Sequence, residues 1–261
     1  MNILLIGDII GQPGRKAVAA VIRDLKKENN VELTVANVEN LAGGFGVNEK
    51  ALNELKDLGI DVFTSGNHIW AKKEVEDCWA KFPGLLRPLN YPPGTSGRGD
   101  CVVTSAGGTP VGVVNLMGRV FMPVTVDDPF RAAKEAIARL RGQGVRVILI
   151  DFHAEASSEK VALWRHLDGE ASVVYGTHTH VPTADARVSA KGTAYISDLG
   201  LTGGYAGVIG MQSESVMKKF LTSLPARHSP SETEIEFWGL LVEFDDAGKA
   251  LSVELIQKKL G

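Results

Sequence analysis

A chain of 261 residues, 44% apolar and 23% charged, is long enough to bury a full-sized core and too apolar to stay disordered. Its net charge of -3 gives no global attraction for duplex nucleic acid or an acidic membrane, so any recognition of phosphate has to be local. Two cysteines, Cys78 and Cys101, with no CxxC pair, argue against a disulfide framework and a thiolate metal site, and fit a reducing cytoplasm.

The amino terminus, Met1 to Ile10, is apolar but carries Asp8 and no basic leader, so neither a signal peptide nor export is expected. No apolar run reaches the roughly 20 residues that a membrane-spanning helix needs. Ile3–Ile6 reads as a strand, followed by a helix over Lys16–Glu28. Val31–Val38 precedes a helix over Glu49–Leu58, and Val62–Thr64 precedes one over Lys72–Phe82. This alternation predicts βαβ units and a largely parallel sheet.

A Pro- and Gly-rich stretch from Pro83 to Gly99 interrupts the rhythm. Cys101–Ser105 and Val111–Leu116 then read as strands around the Gly107-Gly108 turn, as if the chain passed to a second sheet. Asp128-Pro129 is a helix start, with the carboxylate as cap and proline in the first turn; Ala132, Ala133, Ala136, Ile137 and Leu140 mark its buried face. That helix stops near Gly142 or Gly144. Val145–Ile150, Ser172–Tyr175 and Ala194–Ser197 are further strands. Gly200–His228 reads as a long glycine-rich loop leading into a helix around Ser213–Leu221, and serves as a lid or an oligomer contact. Trp238–Phe244 and Leu251–Ile256 close the chain as a hairpin around Asp245-Asp246-Ala247-Gly248. No linker or repeat divides residues 1–261, which predicts a single α/β domain.

In open α/β sheets a ligand site forms beyond the carboxyl ends of the strands. The polar residues at those ends are Asp8; Asn37, Glu39 and Asn40; Asn67 and His68; Asp151 and His153; and His178 and His180. Singly each has an ordinary structural explanation: Asp8 caps the next helix, Asn67 shapes a turn, His153 is a satisfied core histidine. Together they would gather carboxylates, carboxamides and imidazoles on one sheet edge with no structural need for them. Oxygen and nitrogen donors without thiolate suit Fe or Mn, with Zn as a third choice. Two ions roughly 3.5–4 Å apart activate water and clamp both oxygens of an in-line displacement, which is the chemistry of phosphate-ester hydrolysis.

These segments resemble the calcineurin-like metallophosphoesterase superfamily, and within it the bacterial YmdB-like branch. The motifs that carry the resemblance are Ile-Gly-Asp8, Asn37-Val38-Glu39-Asn40, Gly66-Asn67-His68, an isolated His153, and Gly176-Thr177-His178-Thr179-His180. The resemblance implies a four-layer sandwich of two facing mixed β-sheets flanked by helices. It implies that one metal is held by Asp8, Glu39, Asn40 and His180, and the other by Glu39, Asn67, His153 and His178, with Glu39 as the bridge. His68 would stand beside the substrate and protonate the leaving oxygen after attack by the metal-activated water. The implied substrates are 2′,3′- or 3′,5′-cyclic nucleotides.

Two departures from the wider superfamily stand out. Asp8-Ile9-Ile10 lacks the histidine of the usual Asp-x-His, so Asn40 replaces it as ligand, and Ile69 stands where an acidic residue usually follows the histidine of Gly-Asn-His.

Arg119, in Met117-Gly118-Arg119 after a strand, is a candidate phosphate contact, weighed against a surface role. Arg15 and Lys16 at a helix start are weaker ones. Asp151 and Glu155 flank His153 and are placed to hold its imidazole. A serine hydrolase would need Gly-x-Ser-x-Gly, and a nucleotide-binding loop its glycine pattern; neither occurs. The alternatives that remain are a phosphomonoesterase or phosphoprotein phosphatase, and a metal-bound regulatory protein with little turnover. A non-ligating acid such as His68 has no use in the last of these.

Overall fold

The structure is a computed structural model and describes residues 1–260. In chain order it runs β1 (Asn2–Ile6), β2 (Asp8–Ile9), α1 (Gly11–Glu28), β3 (Val31–Asn37), α2 (Glu49–Asp57), β4 (Val62–Thr64), a 3-10 turn at Ile69–Ala71, and α3 (Val75–Lys81). There follow β5 (Asp100–Thr104), β6 (Pro110–Met117), α4 (Pro129–Gly142), β7 (Val147–His153), α5 (Ser157–Leu167), β8 (Val173–Thr177), β9 (Arg187–Val188) and β10 (Ala194–Ile196). The chain ends with β11 (Leu201–Gly204), α6 (Ser213–Thr222), β12 (Ile235–Phe244) and β13 (Ala250–Lys259).

The strands form two mixed sheets. One runs β2-β11-β12-β1-β3-β4 with β13 on the other edge of β12, and the second runs β5-β6-β7-β8-β10-β9. Because side chains alternate along a strand, each central strand feeds two cores at once. In β1, Ile3 and Leu5 enter the layer between the sheets, while Leu4 and Ile6 pack under α1 and α2. In β7, Val147 and Leu149 enter the same inter-sheet layer, while Ile148, Ile150 and Phe152 meet α4 and α5. Helix, sheet, sheet and helix therefore stack as four layers. No helix of the described residues is long and apolar enough to cross a membrane.

Local chemistry sets the element ends. Asp128 caps α4 by accepting from Phe130 N at 2.8 Å and Arg131 N at 3.3 Å, with Pro129 at the first position. The closing hairpin turns at Asp245–Gly248, where Gly248 N donates to Asp245 O at 3.0 Å.

Several sequence expectations are corrected. Helix α1 starts at Gly11, and the helix expected over Lys72–Phe82 is shortened to α3, with the 3-10 turn at Ile69–Ala71 lying ahead of it. The glycine-rich stretch after Gly200 is not all loop: Leu201–Gly204 is a buried strand whose Gly203 and Gly204 pair with Glu236 and Ile235 of β12, and whose Leu201 pairs with Asp8. Only the sheet context supplies its partners, which is why local composition reads it as a loop. Its insertion depends on Gly7, where β1 leaves β12; a Cβ at Gly7 would lie 2.0 Å from Gly200 O. That close approach lets β2 lie beside β11, with Asp8 opposite Leu201.

Candidate metal centre

The strand-end residues do not share one sheet edge, as the sequence reading has it; they come from two sheets whose carboxyl ends face each other. The first sheet brings oxygen donors: Asp8 from β2, Glu39 and Asn40 after β3, and Asn67 after β4. The second brings imidazoles: His153 as the last residue of β7, and His178 and His180 after β8. The two sets meet where the inter-sheet core ends.

Two donor groups result, Glu39–His153–His178 and Asp8–Glu39–His180, each with ligand atoms mutually within 4.8 Å. Glu39 belongs to both. Its Oε2 lies 3.2 Å from His153 Nε2 and accepts from His68 N at 3.0 Å, while its Oε1 faces Asn40 Nδ2 at 3.1 Å. Around His153 Nε2 gather Glu39 Oε2, Asn67 Oδ1 at 3.1 Å and His178 Nδ1 at 3.0 Å. One proton on that nitrogen cannot satisfy three acceptors. In the other group, Asp8 Oδ1 and Asn40 Oδ1 are buried with no hydrogen-bond donor, and His180 Nε2 lies 3.8 Å from Asp8 Oδ1. Unpaired buried oxygens of this kind are rare and costly, and a cation satisfies them. The Asn40 amide turns Nδ2 toward His180 Nε2 at 3.2 Å; rotation about χ2 exchanges that nitrogen with the orphaned oxygen. The donor set thus fits hard or borderline metal ions.

Neighbouring groups fix the imidazoles. Thr177 Oγ1 donates to Asp151 Oδ1 at 2.7 Å, so it accepts from His153 Nδ1 at 2.9 Å and leaves Nε2 facing the donor cluster. His180 Nδ1 donates to Ile209 O at 2.9 Å, which likewise frees Nε2. Burial first, and His153 next, push His178 down to about 3, so its ring stays neutral with a lone pair to give. Burial would lower His153 as well, but Glu39 and Asp8 raise it to about 9, and a metal has to compete with that proton. Burial raises the Asp8 carboxyl, against the pull of His180 and His153. At Gly66, a Cβ would sit 2.1 Å from His153 Cδ2 and 2.5 Å from Glu39 Oε2, so glycine is what lets β4 end against the cluster.

His68 has the backbone of a functional turn, with φ -90° and ψ 0°. Its ring is half-buried and takes no ligand position in either donor group. Burial lowers its imidazole, with Glu39 opposing. Arg119 pairs with Asp128 at 3.5 Å, and its backbone N–H, with that of Val120, donates to the buried Glu159 carboxylate; its guanidinium has no contact with the donor cluster. Arg15 is tied to Glu54 at 2.5 Å and Leu41 O at 2.8 Å. Asp151 acts on His153 through Thr177, while Glu155 contacts His178 Nε2 at 3.2 Å and not His153, correcting the expectation that both flank one ring. Helix α5 begins at Ser157, four residues after His153, and Glu155 lies in the connection before it.

Sequence reasoning misses one device altogether. Lys160 Nζ, buried in α5, donates to Asp198 Oδ2 at 2.7 Å and to Thr177 O at 2.9 Å. Asp198 also accepts from Thr179 N at 3.1 Å and Gly200 N at 2.8 Å. The pair clamps a loop in which His178 and His180 hold positive φ values of 97° and 66°, conformations that cost non-glycine residues roughly 1–3 kcal/mol each. Asp198 follows the strand ending at Ile196, so the strand-end rule itself could have flagged it.

The family described as YmdB-like protein matches residues 4–256. A 2′,3′-cyclic-nucleotide 2′-phosphodiesterase of Bacillus subtilis (strain 168) is 46% identical over 98% of this chain and 96% of its own. Among solved structures, a hypothetical protein from Thermus thermophilus superposes with a TM-score of 0.93 at 38% identity, over 99% of each chain. A novel phosphatase of Mycoplasma pneumoniae gives a TM-score of 0.92 at 31% identity, over 99% of this chain and 93% of that one.

Proposed function

Because this chain belongs to the YmdB-like protein family, we propose that it is a dinuclear-metal phosphodiesterase that hydrolyses 2′,3′-cyclic nucleotides, with 3′,5′-cyclic nucleotides as the second substrate class. The observation that carries this reading is the division of Glu39, one oxygen toward each donor group, with an orphaned buried oxygen from Asp8 and another from Asn40 beside it. Asp8, Glu39, Asn40 and His180 would hold one ion, and Glu39, Asn67, His153 and His178 the other. Two such ions, of Fe or Mn type, supply Lewis acidity and an activated water at neutral pH. The clamp on Thr177, Thr179 and Gly200 holds the histidine loop rigid, and the Asp151–Thr177 relay keeps His153 in the tautomer that donates its Nε2 lone pair. His68, outside both donor groups, delivers a proton to the ribose oxygen as its bond to phosphorus breaks.

Elemental analysis of protein purified without added metal should give two ions per chain. Initial rates should be far higher on a 2′,3′-cyclic nucleotide than on the corresponding monophosphate; the reverse preference would make it a phosphomonoesterase. Bound metal with no turnover on either would instead favour a regulatory protein.

Since the two histidines after β8 serve different groups, His178→Ala and His180→Ala are expected to deplete different metals. Metal-specific spectroscopy that finds the same position emptied in both variants would refute the pairing. For His68→Ala the expected result is both metals retained and a rate lower by roughly 10²–10⁴ on a nucleotide ester, because proton donation to a poor leaving oxygen is worth that much. An aryl phosphodiester, whose nitrophenolate leaves unaided, should lose much less. Matched losses on the two substrates would remove the general-acid role, and loss of metal would make His68 a ligand.

A further inference from the structure

The ring of His68 enters no side-chain hydrogen bond among the described residues, and Ile69 stands where a partner carboxylate would come in the wider superfamily. Its aromatic neighbour is Phe45, whose ring meets the imidazole edge-on, with centroids 4.9 Å apart and planes at 70°. Phe45 is itself fixed from two sides. Behind it lies a small apolar cluster of Ile10, Leu201, Met211 and Val216. Beneath it the loop after Glu39 closes tightly, with Gly46 N donating to Glu39 O at 2.5 Å and Ala42 N to Gly46 O at 2.8 Å. The same Glu39 receives the His68 backbone N–H at 3.0 Å, so the backbone of His68 and the loop that carries Phe45 share one anchor.

We infer that Phe45 is a positioning residue for His68: its ring, backed by the apolar cluster, sets the imidazole orientation that a carboxylate sets elsewhere. An aromatic quadrupole prefers this edge-to-face arrangement and turns away rotamers that break it. The inference rests on the general-acid reading of His68, and the test separates the two. Phe45→Leu keeps apolar volume and loses the ring; Phe45→Tyr keeps the ring.

In the metal-loaded enzyme, Phe45→Leu is expected to lower kcat on a 2′,3′-cyclic nucleotide by about 2- to 10-fold, the range that an edge-to-face aromatic pair supports. Rates on an aryl phosphodiester should change little, metal content should hold at the wild-type level, and Phe45→Tyr should restore the nucleotide rate. In the His68→Ala background, Phe45→Leu should then cost nothing further, because a residue that acts only through His68 has nothing left to position. Equal losses on both substrates, or a full additional loss in the His68→Ala background, would overturn the positioning role of Phe45. If His68→Ala itself loses rate equally on both leaving groups, it is the general-acid reading that fails.

Discussion

Glu39→Ala is expected to empty both metal positions and to lower turnover by on the order of 10³-fold or more, since Lewis-acid stabilisation is worth several kcal/mol and each 1.4 kcal/mol is a factor of ten. Glu39 is almost wholly buried, faces His153 with one oxygen and Asn40 with the other, and also receives the His68 N–H. Its removal takes a donor from both groups and leaves Asp8 as the one carboxylate of the two. Glu39→Gln controls for packing: it keeps the shape and an acceptor oxygen but not the charge, so it too should bind fewer metals. Elemental analysis of both variants alongside initial rates checks this. Two tightly bound ions per chain in Glu39→Ala would contradict the shared-ligand assignment.

The second large effect is on stability. Lys160 and Asp198 are 2% and 1% exposed, and both are fully engaged with the histidine loop. Removing one partner of such a pair strands a buried charge, which costs about 3–5 kcal/mol. For a chain of this size that lowers Tm on the order of 10 °C. Lys160→Met should therefore be strongly destabilised. Lys160→Met with Asp198→Leu should regain most of that stability, because no charge is left buried. The double variant should still bind metal poorly, since Thr179 N and Gly200 N lose their acceptor and the strained His178 and His180 lose their clamp. Denaturant unfolding and metal titration separate the two effects. A Lys160→Met protein within about 1 kcal/mol of wild type would show that the ion pair does not hold this loop.

Much of the layer structure is legible in the sequence because it is local. The apolar run Ile3–Ile6 marks the first strand, and Asp128-Pro129 marks where α4 begins. The strand-end rule collects the polar residues of the candidate site from the same kind of information. It fails at β11, whose four residues have no pattern of their own and become a strand only between β2 and β12. It also passes over Lys160, because a lysine in a helix that begins with Ser157-Ser158-Glu159 looks solvated until Asp198 is folded against it.

What this sequence determines by itself is the chemistry on offer: carboxylates, carboxamides and imidazoles at strand ends, no thiolate, and a further histidine, His68, next to Asn67. The tertiary structure decides how those groups are divided. It places oxygen donors on one sheet and imidazoles on the other, splits Glu39 between two groups, routes Asp151 to His153 through Thr177, and turns Glu155 to His178. It also sets Phe45 against His68. The physical reason is one of range: side-chain alternation and capping act within a few residues, whereas these contacts join segments far apart in the chain. They exist only because the inter-sheet core brings two carboxyl edges face to face.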